Sequence, residues 1–253
     1  MNEWLDDFRV AVAMLTRIPM PHPDGASPDN FSRAQRLMPL VGAGIGAVIG
    51  SVFWGLHAAH LPVLAAAALA LGAGMWLTGG FHEDGLADLA DGFGGGRDKA
   101  AKLEIMRDSR IGTYGTLILM VAFVSKVAAL ASLPNATALT GLIAAHALSR
   151  GFLPAVTLYL RPARTDGLGA SAGRPDATIA TIAAALAVVI ALLCLPFASA
   201  VPAIVVAIAA VAAVAWIGWR QIGGYTGDVL GGAQQVAEVA VLLLLAARLG
   251  IAA

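Results

Sequence analysis

A chain of 253 residues is long enough for one large domain or two small ones. Its 58% hydrophobic and 13% charged residues and mean hydropathy of +0.79 exclude an ordinary soluble domain and make lipid the expected solvent. Basic and acidic residues balance at 16 each, so no bulk basic field points to nucleic acid as a partner.

At the start, Met1 to Asp7 carry acids where a cleavable leader would carry basic residues, so this segment is expected to be retained. Trp4, Phe8, Val12 and Leu15 recur at helical spacing. They predict an amphipathic helix over Asn2 to Thr16, lying on the membrane surface or packed on the protein's own cytoplasmic face.

A crossing helix needs about 20 mostly apolar residues. Seven segments come close: 40–58, 62–78, 114–133, 138–160, 178–197, 201–219 and 233–249. Pro62, Pro134-Asn135 and the stretch from Pro196 to Pro202 punctuate short turns, while 79–113, 161–177 and 220–232 are long polar connections. Lys and Arg crowd one set of connections: Arg9, Arg17, Arg33 and Arg36 before the first span; Arg97, Lys99, Lys102, Arg107 and Arg110 in 79–113; Arg161, Arg164 and Arg174 in 161–177; Arg220 in the last. The short turns on the other side hold none, which predicts a cytoplasmic N-terminus. Cys194, the single cysteine, falls in an apolar run and reads as core filler that can form no disulfide within the chain.

Small residues fill the spans, which permits close helix contact in lipid. Gly42, Gly46 and Gly50, spaced by four, mark one packing face. The expected architecture is an all-α bundle of about seven transmembrane helices forming a single integral membrane domain over 1–253, with small-residue faces that would allow a homo-oligomer.

The chemistry concentrates in the connection after the second span, Thr78-Gly-Gly-Phe-His-Glu-Asp-Gly-Leu-Ala-Asp-Leu-Ala-Asp-Gly-Phe-Gly-Gly-Gly96. At about 100° per residue, Asp84, Asp88 and Asp91 share one helix face. Three carboxylates so close repel one another unless a cation sits among them, and hard oxygens suit Mg²⁺ or Mn²⁺ better than zinc. The alternative is a solvated helix start, where negative charge is favourable. His82 and Glu83 extend the cluster, and Gly92, Gly94, Gly95 and Gly96 would let backbone N–H groups approach a phosphate, or form only a flexible turn.

In Leu103-Glu-Ile-Met-Arg-Asp-Ser-Arg-Ile-Gly112, Arg107 and Arg110 bracket Asp108 and Ser109. Their planar forks fit phosphate; the alternative, that they only follow the charge bias of cytoplasmic loops, explains their sign but not the adjoining Asp108-Ser109. Acids for metal and arginines for phosphate in one loop are the division of labour that phosphoryl transfer needs. The last connection, Gly223-Gly-Tyr-Thr-Gly-Asp-Val-Leu-Gly-Gly232, offers Thr226 and Asp228 as ligands, or simply a turn with a capping Asp. Glu238, Lys126 and Arg150 fall inside apolar spans, where ionisable groups face a cavity or one another; substrate contact and mutual pairing are both open.

Together these stretches resemble the cobalamin synthase family, adenosylcobinamide-GDP ribazoletransferase. The likeness rests on Gly79 to Gly92, Leu103 to Gly112, Gly223 to Gly231 and Thr16-Arg-Ile-Pro19, in the expected order along nearly the whole chain. Lys126, Arg150 and Glu238 also fall where family members carry the same residues. Glu83, Gln235 and Gly232 depart from the usual residues, which leaves the role of Gln235 open. The resemblance implies a bacterial cytoplasmic (inner) membrane enzyme that needs Mg²⁺. It would join adenosylcobinamide-GDP to α-ribazole, or its 5′-phosphate, releasing GMP, with Asp108 or His82 taking the proton of the attacking hydroxyl.

Three rivals fit less well. A CDP-alcohol phosphotransferase carries Asp-Gly-x-x-Ala-Arg followed by Gly-x-x-x-Asp-x-x-x-Asp, and the second half is missing here. An intramembrane prenyltransferase brings paired Asp-rich motifs, and only one dense cluster exists. A corrinoid or ion transporter predicts an internal repeat, and the motif loops share no pattern.

Overall fold

The computed structural model describes residues 3–21, 28–167, 169 and 173–250. Asn2 and parts of the 161–177 connection lie outside them. Twelve α-helices run through the described residues: α1 Glu3–Leu15, α2 Pro28–Ala34, α3 Met38–Ala58, α4 Val63–Thr78, α5 Phe81–Gly95, α6 Lys99–Ile105, α7 Thr113–Ser132, α8 Asn135–Gly151, α9 Leu153–Tyr159, α10 Ala177–Cys194, α11 Phe197–Ile222 and α12 Gly227–Leu249. No strand occurs among these residues; the one β feature is an isolated parallel bridge between Pro162 and Tyr225.

Six helical segments are long and apolar enough to cross a membrane, or seven if α4 and α5, bent by 92°, are counted together. The chain is therefore a multi-pass membrane protein. The expected second span, 62–78, is only the 16-residue α4. Three other boundaries move. The segment 138–160 divides at Phe152 into α8 and α9, with a proline in the first turn of α9. α11 begins at Phe197, so Pro202 lies inside it rather than in a turn. Its ring removes the N–H that would bond to Ala198, and Arg248 donates to that carbonyl instead at 3.1 Å. α12 begins at Gly227, shrinking the last connection, because the Thr226 side chain accepts from Val229 N and caps the helix. The capping residue there is the threonine, not Asp228.

Close backbone approach holds the bundle together. On α3, a Cβ at Gly42 or Gly46 would collide with the carbonyl oxygens of His146 or Leu142 on α8, and one at Gly50 with Leu139. The four-residue glycine spacing is thus the α3–α8 seam, where dispersion does what the hydrophobic effect does in water. α1 packs on the protein itself: Val10, Ala11, Val12 and Leu15 are buried, and buried Asp7 pairs with Arg33 and Arg36 at 3.4 and 2.5 Å. Trp4 remains half exposed, with the Arg36 guanidinium 3.6 Å over its ring.

Candidate active site

The site begins at a backbone break. Gly79 and Gly80 both take left-handed conformations, φ 71° and 68°, which cost other residues about 1–2 kcal/mol each. This pair turns α5 by 92° from α4. With Glu83, Asp84, Asp88 and Asp91 in 15 residues, α5 is too acidic to lie in lipid along its length. It crosses α12 at a glycine contact: a Cβ on Gly85 would lie 3.2 Å from the Cα atoms of both Gly231 and Asp228.

Beside α5 opens a groove of about 880 Å³. Asp84 and Asp88 line it, together with Arg17, Thr78 and the Gly79-Gly80 turn, and Arg107, Asp108 and Ser109 line it too. The motif connection therefore does bring the acids of α5 and the Arg107-Asp108-Ser109 turn to one cavity. Burial and the carboxylates of Asp84, Asp228 and Asp91 push the Asp88 carboxyl up to about 7. Crowded hard oxygens of this kind are what a divalent cation relieves, and Asp84 and Asp88 are the two carboxylates of α5 that could hold one at the groove.

Asp91 sits differently. It is buried, and its two carboxylate oxygens accept from Gly112 N and Gly115 N at 2.7 and 2.9 Å. It closes the N-terminus of α7, and Gly112 and Gly115 leave room for it, since a Cβ on either would meet the carboxylate. The three aspartates are on one helix but not in one cage, and among the described residues no three His, Cys, Asp or Glu side chains converge to hold a metal ion.

The arginines are occupied by carboxylates. Arg107 donates to both oxygens of Asp166 at 2.5 and 2.6 Å. Arg110 grips Asp108 at 2.7 Å, and that contact holds the Asp108 carboxyl down to about 2. Asp166 belongs to a segment moored to the last connection, with Ala163 N donating to Tyr225 O and Tyr225 N to Arg161 O. From the same segment Arg164 reaches Asp228 at 3.4 Å. These partners were not foreseen, because nothing in the 161–177 pattern says which loop it meets.

Other candidates stand away from the groove. His82 is buried against Phe81, ring centroids 5.1 Å apart, and its Nδ1 has no hydrogen-bond partner among the described residues. The glycine run serves packing: a Cβ on Gly94 would strike the Tyr114 ring and one on Gly95 would lie 3.3 Å from Ile105. Thr226 is buried, donating to Asp228 at 3.1 Å.

Lys126, Arg150 and Glu238 meet inside the bundle. Lys126 Nζ lies 2.6 Å from Glu238 and donates to Gln235 at 2.7 Å. His146 Nδ1 and Arg150 approach the other Glu238 oxygen at 3.2 and 3.8 Å, and Gln234 donates to it at 2.6 Å. Gln235 also donates to Glu83 at 3.1 Å, tying α5 to this cluster. None of the three charged residues is more than 2% exposed; they pair with one another rather than face the groove.

The chain is 43% identical over 258 residues to an adenosylcobinamide-GDP ribazoletransferase of Sinorhizobium medicae, covering 97% of this chain and 98% of that one. It is 42% identical over 250 residues to the enzyme so named from Azorhizobium caulinodans, covering 94% of each. With that of Bradyrhizobium diazoefficiens it shares 40% over 242 residues, 95% and 93% of the two chains. No solved structure matches it. The family model for cobalamin-5-phosphate synthase matches residues 7–246, a span that takes in α5, the groove and the interior cluster alike, and the chain belongs to that family.

Proposed function

We propose that this chain is the membrane transferase that joins adenosylcobinamide-GDP to α-ribazole, or its 5′-phosphate, giving adenosylcobalamin, or its 5′-phosphate, and GMP. Family membership supports the reaction class, and the observation that carries it to residues is the groove, with acids and an Arg-Asp-Ser turn on its walls. The 3′-hydroxyl of α-ribazole attacks the phosphorus bearing cobinamide; the new P–O bond forms as the bond to the departing GMP phosphate breaks. Asp84 and Asp88 would hold Mg²⁺, while Asp91 is committed to the start of α7. Bound there, Mg²⁺ would neutralise charge developing on the leaving phosphate.

Arg107, Arg110 and Ser109 bind the phosphates. A diphosphate competes with Asp166 and Asp108 for these arginines. When Arg110 turns to phosphate, Asp108 loses the contact that holds its carboxyl down and becomes the better proton acceptor. His82, off the groove, is the weaker candidate. Gly94, Gly95 and Thr226 act by shaping the site, and Lys126, Arg150 and Glu238 by holding the helices that carry it. The distribution of Lys and Arg supports a cytoplasmic N-terminus and groove in the bacterial inner membrane, with lipid against the apolar faces.

Turnover of adenosylcobinamide-GDP with α-ribazole 5′-phosphate by the detergent-solubilised protein tests this. Cobamide and GMP should form with Mg²⁺ and not with EDTA, and Asp84→Asn should lower the rate at least about hundredfold. Folded protein that makes no cobamide with Mg²⁺ present would overturn the reading.

A further inference from the structure

We propose that Arg17 is the groove's standing grip on the diphosphate of the nucleotide-bearing substrate, a positioning role that rests on the reaction proposed above. The Thr16-Arg-Ile-Pro19 stretch lies far in sequence from the acidic loop, yet the fold delivers it to the same cavity. Its backbone is moored: Arg17 N donates to Leu77 O at 2.8 Å in the last turn of α4, and Ile18 N donates to Thr16 Oγ1 at 3.2 Å. The side chain is then guided across the helix break. A Cβ on Gly79 would lie 3.1 Å from Arg17 Cδ and 3.3 Å from Cγ, so the glycine that makes the left-handed turn also leaves the track on which the Arg17 stem runs.

What distinguishes Arg17 is a fork with no carboxylate partner among the described residues. Arg107 is bound to Asp166 and Arg110 to Asp108, so each must exchange a carboxylate for phosphate. The Arg17 guanidinium makes no hydrogen bond or ion pair among the described residues. Five N–H donors in a planar fork match phosphate oxygens two at a time. A diphosphate in the groove would meet the acids of Asp84 and Asp88 through a cation and Arg17 directly, so that charge of each sign is balanced. Arg17 therefore contributes mainly to binding, before the other arginines exchange partners.

The test uses the full chain in detergent, as wild type, Arg17→Gln and Arg17→Lys, and two readouts: equilibrium binding of GDP with Mg²⁺, and steady-state turnover. Both variants keep much of the apolar stem and the backbone mooring, and equal thermal midpoints will show that they fold. Arg17→Gln should weaken GDP binding about ten- to hundredfold, the range for charge-assisted hydrogen bonds. It should raise KM for adenosylcobinamide-GDP similarly, with kcat and KM for α-ribazole 5′-phosphate changed no more than about twofold. Arg17→Lys, retaining charge but not the fork, should fall between. Unchanged GDP affinity in Arg17→Gln, a KM rise confined to α-ribazole 5′-phosphate, or no GDP binding by the wild type would each overturn the proposal. If GDP binding falls in Arg17→Gln but the wild type makes no cobamide, the diphosphate grip stands and the reaction does not.

Discussion

The groove beside α5 and the cluster between α7, α8 and α12 contain the same kinds of side chain in opposite circumstances. In the groove, Asp84 is exposed and Asp88 half-buried among other carboxylates, and the pairs Arg107–Asp166 and Arg110–Asp108 are open to solvent. Water can replace any of these contacts, so a ligand can as well. In the interior, Lys126, Arg150 and Glu238 are buried, and removing any one would leave a buried charge without its partner. α5 borders both: Asp84 and Asp88 look out to the groove, while Glu83 reaches Gln235. Charge that is accessible is available for chemistry, whereas charge that is buried and paired fixes the geometry of the helices around it.

The largest effect should come from breaking the buried side. Glu238→Gln keeps the shape but leaves Lys126 and Arg150 without their shared carboxylate. Removing one member of a buried ion pair costs about 3–5 kcal/mol, to be read as a fall in unfolding free energy in detergent. The molecules that remain folded should keep the wild-type KM for both substrates. A stable variant with a raised KM would break the comparison and return Glu238 to the substrate site.

Much of this contrast was legible in the sequence, and the reasons for the rest are physical. Hydropathy and the Gly42-Gly46-Gly50 spacing depend on local pattern, and they located six crossing segments and the α3–α8 seam, while the 62–78 segment crosses only together with α5, if at all, and Pro202 falls inside α11. The acid and arginine motifs reached one groove because they lie on consecutive short elements. Direction is what pattern cannot supply. Asp84, Asp88 and Asp91 are equivalent by helical periodicity, and only the arrival of α7 separates Asp91 from the other two. Likewise Asp166 and Arg164 acquire their partners through a loop contact remote in sequence. The pairing of Lys126 with Glu238 was one of two open readings, because a charged residue in a span announces burial but not its neighbour.

Asp91 allows the comparison to be sharpened on a single helix. As the cap of α7, it should tolerate Asp91→Asn, whose side-chain oxygen can still accept, whereas Asp91→Ala should cost about 1 kcal/mol of stability. Neither change should shift the Mg²⁺ concentration needed for half-maximal rate, while Asp84→Asn should raise it. Titrating Mg²⁺ against activity for the three variants separates the roles. An Asp91→Asn protein that is stable yet needs far more Mg²⁺ would place Asp91 among the metal ligands after all.

The smallest effect should come from the exposed clasp. Arg107 and Asp166 keep side-chain exposures of 54% and 59%, so their contact is screened and Asp166→Asn should change stability by less than about 0.5 kcal/mol. Its consequence lies in competition. With its carboxylate partner gone, Arg107 is free for phosphate before substrate arrives, so KM for adenosylcobinamide-GDP should fall by about twofold, the most that an exposed pair of this strength allows. That gain should shrink as salt is raised from about 0.01 to 0.15 M, because the wild-type pair is itself weakened by screening. A KM that rises instead would mean that Asp166 positions Arg107 for phosphate rather than competing for it, and the groove would then share with the interior the use of charge as scaffold.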